Sequence, residues 1–286
     1  MSFKRLDPED VSISAESIVA PAWTGQVTTL TSFHTASNQV ATTSGLYYYD
    51  IYQSIFGSTG AAVQFSVAFG NRLGSGSAPL NVSEIGKSPS SIIYGQYRTL
   101  INGDENTDFT FGTATPNSIY VISVNRSRFK EKLLPGTFTL KLTSGINSIT
   151  ITDDSKVANT VSFIDAGRVY NLISGSAGVA NTSITTAGYT FNSGSYGKLY
   201  PDVGILVLNG DALGAPAASG GLALAFNQTG SGTSVNLAQM YDAIKLGGNF
   251  TLQSEETISS NYVFVRVRNS EFNTQWTHQI YQVQES

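Results

Sequence analysis

The 286-residue sequence contains no cysteine. Disulfide bonds and thiolate metal sites are therefore excluded, and the fold has to be held by packing or by assembly with other chains. No stretch approaches the ~18 apolar residues of a membrane-spanning helix. Near the start, Asp7, Glu9 and Asp10 stand where a signal peptide needs an apolar run. We therefore predict a protein that is made in the cytoplasm and either stays soluble or is built into an assembly.

Charged residues are scarce, at 13% of the chain, which is about half of the usual ~25%. Serine, threonine, asparagine and glycine take their place, which suits either an all-β surface or a surface covered by neighbouring subunits. The net charge is −4, and hydrophobic residues make up 41% of the chain, enough to form a core. An acidic chain with a single basic cluster does not resemble a nucleic-acid-binding protein, so we predict no nucleic-acid partner.

Alternation of apolar and other residues is the dominant pattern. In residues 137–154, Phe138, Leu140 and Leu142 fall on one face, and two isoleucines pair back across an SGIN turn. This pattern predicts a β-hairpin. Residues 118–125 are apolar on both faces, as in a strand that is buried on both sides. More short runs of β type are separated by Gly, Ser, Asn and Pro.

Helical periodicity is rare in this sequence. The clearest case is residues 234–248, in which Leu237, Met240 and Ile244 follow helical spacing and Gly247 supplies a stop. Many short strands with little helix predict a mainly β protein. We expect two β-rich, sandwich-like domains with one or a few short helices.

A stretch of small and polar residues at 173–188 is where we predict the division between the two domains. We therefore place an N-terminal β domain at residues 1–175. A C-terminal β-rich domain follows at residues 176–286, with a helix near residues 235–246. The chain contains no sequence repeat of fixed period, so we expect neither a propeller nor a solenoid.

Patterns for metal binding fail on their spacing. The two histidines, His34 and His278, are far apart, and a histidine metal site would need both of them with a carboxylate. Residues 104–108 begin like a calcium loop, but Phe109 stands where that loop needs Gly and Thr115 stands where it needs Glu. We therefore predict no metal site and no cofactor.

Paired carboxylates for glycoside hydrolysis also fail on geometry. The candidates are Asp153 with Asp154 and Glu255 with Glu256. Neighbours on a strand point to opposite faces of the sheet, so neither pair forms one site. We predict that the protein is not an enzyme.

The segment NRSRFKEKLLPG, residues 125–136, concentrates charge in this charge-poor chain. Four of the 16 basic residues fall on alternate positions there: Arg126, Arg128, Lys130 and Lys132. The segment ends in Leu134-Pro135-Gly136, which suits a type II turn with Pro at its second position and Gly at its third. One interpretation is a solvated loop that protects a sheet edge. The other is a basic contact point for an acidic partner, with Phe129 as the apolar anchor. Both interpretations stay open at the level of the sequence.

The stretch RSRFKEKLLPGTFTLKL resembles baseplate wedge proteins of contractile-tailed phages of the T-even type, particularly those that infect cyanobacteria. Further blocks follow the order of that family: FKRLDPEDVSISAESIVAPAW, GLYYYDIYQS, VQFSVAFGNRLGSGS, GRVYNLISGS, LYPDVGILVLNGDAL and EETISSNYVFVRVRNSEFN. Each block is a weak pattern, but the ordered set spans nearly the whole chain. After EFN the family usually continues with an aromatic, Asn/Pro-rich segment, whereas this chain has TQWTHQIYQVQES.

The resemblance implies a non-enzymatic structural subunit that docks to other baseplate wedge proteins, forms a homodimer, and is assembled in the host cytoplasm into the virion tail. It implies no catalytic residue, and from the composition we predict neither a nucleic-acid nor a membrane partner. The alternative function is a carbohydrate-binding or sugar-cleaving tail adhesin, because polar β surfaces with exposed aromatics also suit glycans. Our candidates for protein interfaces are Arg126, Arg128, Phe129, Lys130, Lys132, Arg266, Arg268, Glu271 and Phe272.

Overall fold

The computed structural model describes residues 11–36, 47–77, 87–157, 161–181, 196–224 and 233–263. These residues form mainly β-strands, with a few helices between them. In chain order the elements are β1 (Val11–Pro21), β2 (Thr29–Leu30), β3 (His34–Thr35), β4 (Tyr48–Tyr52), β5 (Val63–Asn71), α1 (Pro89–Asn102), β6 (Ser118–Val124), β7 (Lys132–Leu133), β8 (Thr139–Ser144), β9 (Asn147–Asp153), β10 (Ser162–Ile164), β11 (Gly167–Ser176), β12 (Val179–Ala180), β13 (Gly197–Tyr200), β14 (Ile205–Asn209), α2 (Gly210–Gly214), α3 (Thr233–Gly247), β15 (Asn249–Thr251) and β16 (Gln253–Val263). The predicted mainly β class with few short helices is confirmed.

Thirteen of these strands belong to one curled sheet. Its order is β2-β15-β8-β9-β11-β13-β14-β6-β5-β4-β3, and β10 and β12 pair with β11. The two end strands, β2 and β3, are joined by residues 31–33 alone, so the sheet has to curl back on itself. The predicted hairpin is present as β8 and β9, with Leu142 opposite Ile149.

The concave side of the sheet encloses the larger core, which is rich in aromatic rings. The ring of Phe250 lies 4.8 Å from Trp23, 5.0 Å from Phe65 and 5.8 Å from Phe138, measured between centroids. The indole Nε1 of Trp23 also donates to the carbonyl oxygen of Phe250, at 2.8 Å. Edge-on aromatic contacts of this kind stabilise a core beyond the burial of area alone.

Strand β6 separates two cores, as the apolar character of both its faces predicted. Tyr120 and Ile122 belong to the larger core, and Ile119 and Val121 belong to a smaller one beneath α1. All four are fully buried. The hydroxyl of Tyr120 donates to the carbonyl oxygen of Asn236, at 3.2 Å, and so connects β6 to α3.

The two larger helices cover opposite sides of the sheet. Helix α3 packs against β8 with Leu237, Met240 and Ile244 fully buried, and its position confirms the helix expected from the sequence. Helix α1 packs against β5 and was not predicted. It begins at a capping box formed by Ser88 and Ser91, and it ends at Gly103 in the left-handed conformation.

The predicted division after residue 175 is not found. It falls inside β11, which pairs with β9 and with β13, and β15 pairs with β8 across the same predicted boundary. Contacts between residues instead divide the chain into one unit at Val19–Glu256 and another that contains the chain up to Ile18 and from Thr257 onward. The sheet hydrogen bonds across the predicted boundary are the physical reason for this correction.

Candidate functional site

The basic segment leaves the buried strand β6 and begins with a tight turn. Asn125 caps a single 3-10 turn, Arg126–Arg128, because its side-chain oxygen accepts hydrogen bonds from the backbone N–H and the hydroxyl of Ser127, at 2.9 and 2.7 Å. The chain then returns to extended backbone at Phe129. The four basic residues therefore do not follow one extended run, and they do not share one side in the way that simple alternation would give.

The C-terminal end of the segment is held by hydrogen bonds to a buried side chain. The backbone N–H of Gly136, which has a φ of 80°, donates to both carboxylate oxygens of Asp153, at 2.8 and 3.0 Å. Asp153 is fully buried. The Pro-Gly turn is therefore held by a buried carboxylate, and the segment has a defined shape at both ends.

Phe129 is an internal residue and not an exposed anchor. Its side chain is 4% exposed and belongs to the larger core. The end of its ring lies so close to Gly204 that a Cβ atom there would come within 2.4 Å of the ring. The guanidinium of Arg126 lies over the same ring, with its carbon 4.6 Å from the ring centroid. The prediction that Phe129 contacts a partner is therefore wrong, because the core already surrounds the side chain.

The two lysines of the segment form ion pairs with β16. Lys130 Nζ lies 2.9 Å from Glu256 Oε2, and Lys132 Nζ lies 3.6 Å from Glu255 Oε2. The cause is strand pairing, since β7 runs antiparallel to β16 with Lys132 opposite Glu255. The lysines therefore lie beside carboxylates of their own chain.

A further ion pair extends this charged surface. Arg168 donates to Asp202 through Nη2, at 2.7 Å, and through Nε, at 3.1 Å. Burial alone would raise the pKa of Asp202, but the hydrogen bonds from Arg168 and the charges of Arg168 and Lys132 outweigh burial and lower it. The lysine half of the segment is thus part of a network of alternating charges, which largely cancel.

The two arginines have different surroundings. Arg128 donates from Nε and Nη2 to the hydroxyl of Ser127, at 3.2 and 3.0 Å, and from Nη1 to the hydroxyl of Thr24. Arg126 Nη1 donates to the carbonyl oxygen of Glu131, at 3.2 Å. Among the residues that the structure describes, neither guanidinium has a carboxylate partner. Both are held in place by neutral groups, so their charges are not compensated there.

Four of the interface candidates lie outside the described residues: Arg266, Arg268, Glu271 and Phe272. His278 also lies outside them, while His34 is half-buried in β3. The proposed roles of these four residues at an interface stay predictions.

The carboxylates considered for chemistry hold turns and strands in the described structure. Asp104 accepts from the backbone N–H of Asn106, at 2.9 Å, which closes a turn. Asp154 accepts from the backbone and side-chain amides of Asn171, each at 2.9 Å. Burial raises the pKa of Asp154 against the effect of these hydrogen bonds. Each of these acids therefore has a structural role that accounts for its position.

Sites of other kinds are few in the described part of the chain. No group of three or more His, Asp or Glu residues there is arranged to hold a metal ion. No helix among these residues is long and apolar enough to cross a membrane. A cleft of about 230 Å³ lies between the β8–β9 turn and α3. It is lined by Gln239 and Asp242 together with small and aliphatic residues, and its lining contains no aromatic ring.

The residues of this chain that contact the basic segment could not be found from the sequence. Glu255 and Glu256 carry the complementary charge, but they are more than a hundred positions away from the lysines. Thr24 and the fully buried Gln64, which together support Arg128, carry no motif. The one sequence signal for these ion pairs is that one short run contains lysines and a distant run contains glutamates. That signal predicts ion pairs only once the two strands are known to be neighbours.

Comparison with known proteins gave no match: no family model, no curated protein and no solved structure matches this chain. The function is therefore inferred from the surfaces of the molecule and from the sequence blocks described above.

Proposed function

We propose that this protein is a non-enzymatic structural subunit of a phage tail baseplate wedge, that it docks to other wedge proteins, and that it forms a homodimer. The ordered sequence blocks support the family, and the low surface charge supports a subunit covered by neighbours. The carboxylates that resembled catalytic pairs hold turns and strands, which supports a role without catalysis.

The observation that carries the proposal is the exposed apolar surface of the smaller unit. Its described residues belong to the neighbouring strands β1 and β16. Six large apolar side chains of this unit are at least 39% exposed: Val11, Ile13, Ile18, Ile258, Tyr262 and Val263. Exposed apolar surface concentrated on two neighbouring strands is typical of association with other proteins. Few charges oppose association, since Glu16 is the single charged residue of β1.

The location of the protein tests the proposal most directly. We expect antibody labelling or electron cryo-microscopy of intact virions to place it in the tail baseplate, and we expect it to co-purify with other wedge subunits. Absence from the baseplate would contradict the proposal. Binding to glycans, or release of reducing ends from them, by the purified protein would favour the tail adhesin instead.

The homodimer is tested in solution by light scattering, where we expect twice the chain mass of 30.4 kDa. Ile13, which is 72% exposed in β1, is the residue to change, and Ile146, which is 101% exposed at the β8–β9 turn, provides a matched control. We expect Ile13→Ser to shift the equilibrium towards monomer and Ile146→Ser to leave it unchanged. A wild-type protein that stays monomeric at micromolar concentration would contradict the homodimer.

A further inference from the structure

The two arginines of the 3-10 turn form a charged surface that the described structure leaves uncompensated. Arg126 is exposed and Arg128 is half-buried, and they flank Ser127 on one turn. Other basic residues nearby already have acidic partners: Lys130 and Lys132 pair with β16, and Arg168 pairs with Asp202. The arginine pair is therefore the part of the segment whose charge is available to another molecule.

The guanidinium of Arg128 is held in one orientation by a chain of hydrogen bonds that begins in the core. Gln64, which is fully buried, donates from Nε2 to the hydroxyl of Thr24, at 2.8 Å, and accepts from the Thr24 backbone N–H, at 3.0 Å. Thr24 accepts from Arg128 on one side, and Ser127, itself held by Asn125, accepts on the other. An arginine that is already ordered loses less side-chain entropy when it binds.

The donors of Arg128 are not exhausted by these contacts. A guanidinium has five N–H groups, and each terminal nitrogen carries two of them. The hydrogen bonds to Ser127 and Thr24 use one N–H on each terminal nitrogen. One N–H on each of Nη1 and Nη2 therefore remains for a ligand. Carboxylates are the acceptors that form strong, charge-assisted hydrogen bonds with arginine N–H groups.

Arg126 is oriented by a different support. Its guanidinium lies over the buried ring of Phe129 and donates to the carbonyl oxygen of Glu131. The ring attracts the cation, and because Phe129 is enclosed in the core the support does not move. Arg126 and Arg128 thus present two positive groups from one rigid turn.

We propose that Arg126 and Arg128 form a docking site for the carboxylates of an acidic segment on a partner protein. The proposal rests on the proposed function in one respect, namely that this chain docks to other proteins. It narrows the binding surface to two arginines and assigns Lys130 and Lys132 to ion pairs with Glu256 and Glu255 of the same chain. The partner is a peptide segment with several Asp or Glu side chains, since the two arginines lie two residues apart on one turn.

The test compares two double variants that remove the same charge, Arg126→Ser with Arg128→Ser and Lys130→Ser with Lys132→Ser. The probe is a fluorescent synthetic peptide of alternating glutamate and serine, with a glutamine-serine peptide as its neutral control. We expect the wild type to bind the glutamate peptide at least about tenfold more tightly than the glutamine peptide in low salt. The arginine variant should lose about tenfold in affinity, and the lysine variant should stay within about twofold of wild type.

Salt and folding provide the controls for this measurement. Circular dichroism should give both variants the wild-type spectrum, since none of the four changed side chains belongs to a hydrophobic core. The preference for glutamate should weaken between about 0.02 M and about 0.15 M salt, because screening increases over that range. Exchange of both arginines for lysine should restore only part of the affinity, because lysine cannot donate in a fork.

Two results would overturn the inference: no preference of the wild type for the glutamate peptide, or equal losses in the arginine and lysine variants. Neither result bears on the position of the protein in the virion. Conversely, a protein absent from tail baseplates that still loses glutamate binding in the arginine variant would refute the proposed function and leave the docking site standing. The two proposals therefore fail separately.

Discussion

The two halves of the basic segment have the same charge and nearly adjacent positions, yet they have different surroundings. Arg126 and Arg128 lie on a 3-10 turn among hydroxyl and carbonyl groups, whereas Lys130 and Lys132 lie beside Glu256 and Glu255 of β16. The difference shows that local composition does not decide whether a basic residue is available to a partner. The strand that lies opposite decides it.

The choice of residue type fits this division. Lysine is a compact charge that pairs readily with nearby carboxylates, as Lys130 does with Glu256 and Lys132 does with Glu255. Arginine has a planar fork of donors that can hold hydroxyl groups on one edge and still offer further N–H groups. The arginine half is therefore both fixed within the chain and able to bind outside it.

The largest expected effect comes from Phe129, which lies between the two halves of the segment in sequence and beneath the guanidinium of Arg126. Phe129→Ala should destabilise the protein by about 3–5 kcal/mol, because it leaves a cavity in the core. Chemical denaturation followed by circular dichroism measures the change. The matched control is Phe163→Ala, since Phe163 is 71% exposed in β10, and we expect it to cost no more than about 0.5 kcal/mol. Equal losses from the two changes would mean that Phe129 is not a core residue.

Gly204 tests the contact that fixes the ring of Phe129. A Cβ atom at this position would come within 2.4 Å of the ring, and Gly204 has a φ of 71°. We expect Gly204→Ala to cost about 1–3 kcal/mol for overpacking in addition to the backbone strain. Gly57→Ala isolates the strain, because Gly57 has a φ of 85° and an added Cβ atom there would meet nothing within 4 Å. A loss at Gly204 no larger than the loss at Gly57 would show that the ring moves aside.

Prediction from sequence succeeded where the local pattern had a single physical cause. Strand β6 was predicted to be buried on both faces, and its odd- and even-numbered residues indeed serve two different cores. Helix α3 was predicted because its apolar residues repeat at helical spacing. Helix α1 was missed because its start is a pair of serines with a proline, and not the acidic capping pattern that is easiest to recognise.

Prediction failed where distant parts of the chain decide the outcome. Phe129 stands among charges in the sequence, but the turn capped by Asn125 directs it into the core beside Gly204. The ion pairs of the lysines depend on the pairing of β7 with β16, which no local pattern indicates. The predicted domain boundary failed for the same reason, because strands from both sides of it join in one sheet.

The ion pair between Lys132 and Glu255 tests the lysine half of the comparison. The side chains are 20% and 17% exposed, and we expect a double-mutant cycle of Lys132→Met with Glu255→Gln to give a coupling of about 0.5 kcal/mol that weakens in high salt. A cycle of Arg128→Met with Glu255→Gln is the control and should show additive changes. Coupling in the control as large as in the lysine pair would remove the distinction between the two halves.

The smallest expected effect concerns pH, since the lysine half relies on carboxylates and the arginine half relies on groups that do not titrate. The pKa of Asp202 is lowered in the folded state, mainly by Arg168 acting against burial. A lowered pKa favours folding above the unfolded-state value of about 3.9, and this contribution is lost as the pH falls through the folded-state value. The contribution should be below about 0.5 kcal/mol, because the Asp202 side chain is partly exposed and solvent screens it.

The free energies of unfolding of the wild type and of Asp202→Asn should be measured between neutral and acid pH. The wild type should be the more stable above the unfolded-state pKa, and the two free energies should converge as the pH falls below it. The same substitution in an Arg168→Met background should show a weaker pH dependence, because the guanidinium is removed while the backbone N–H of Arg168 and the charge of Lys132 remain. The double variant Arg126→Ser with Arg128→Ser should keep the wild-type dependence of the free energy of unfolding on pH in the acid range, which we call the acid limb. A shifted acid limb in that arginine variant would show that its charges are coupled to the carboxylate network, and that the two halves of the segment act as one.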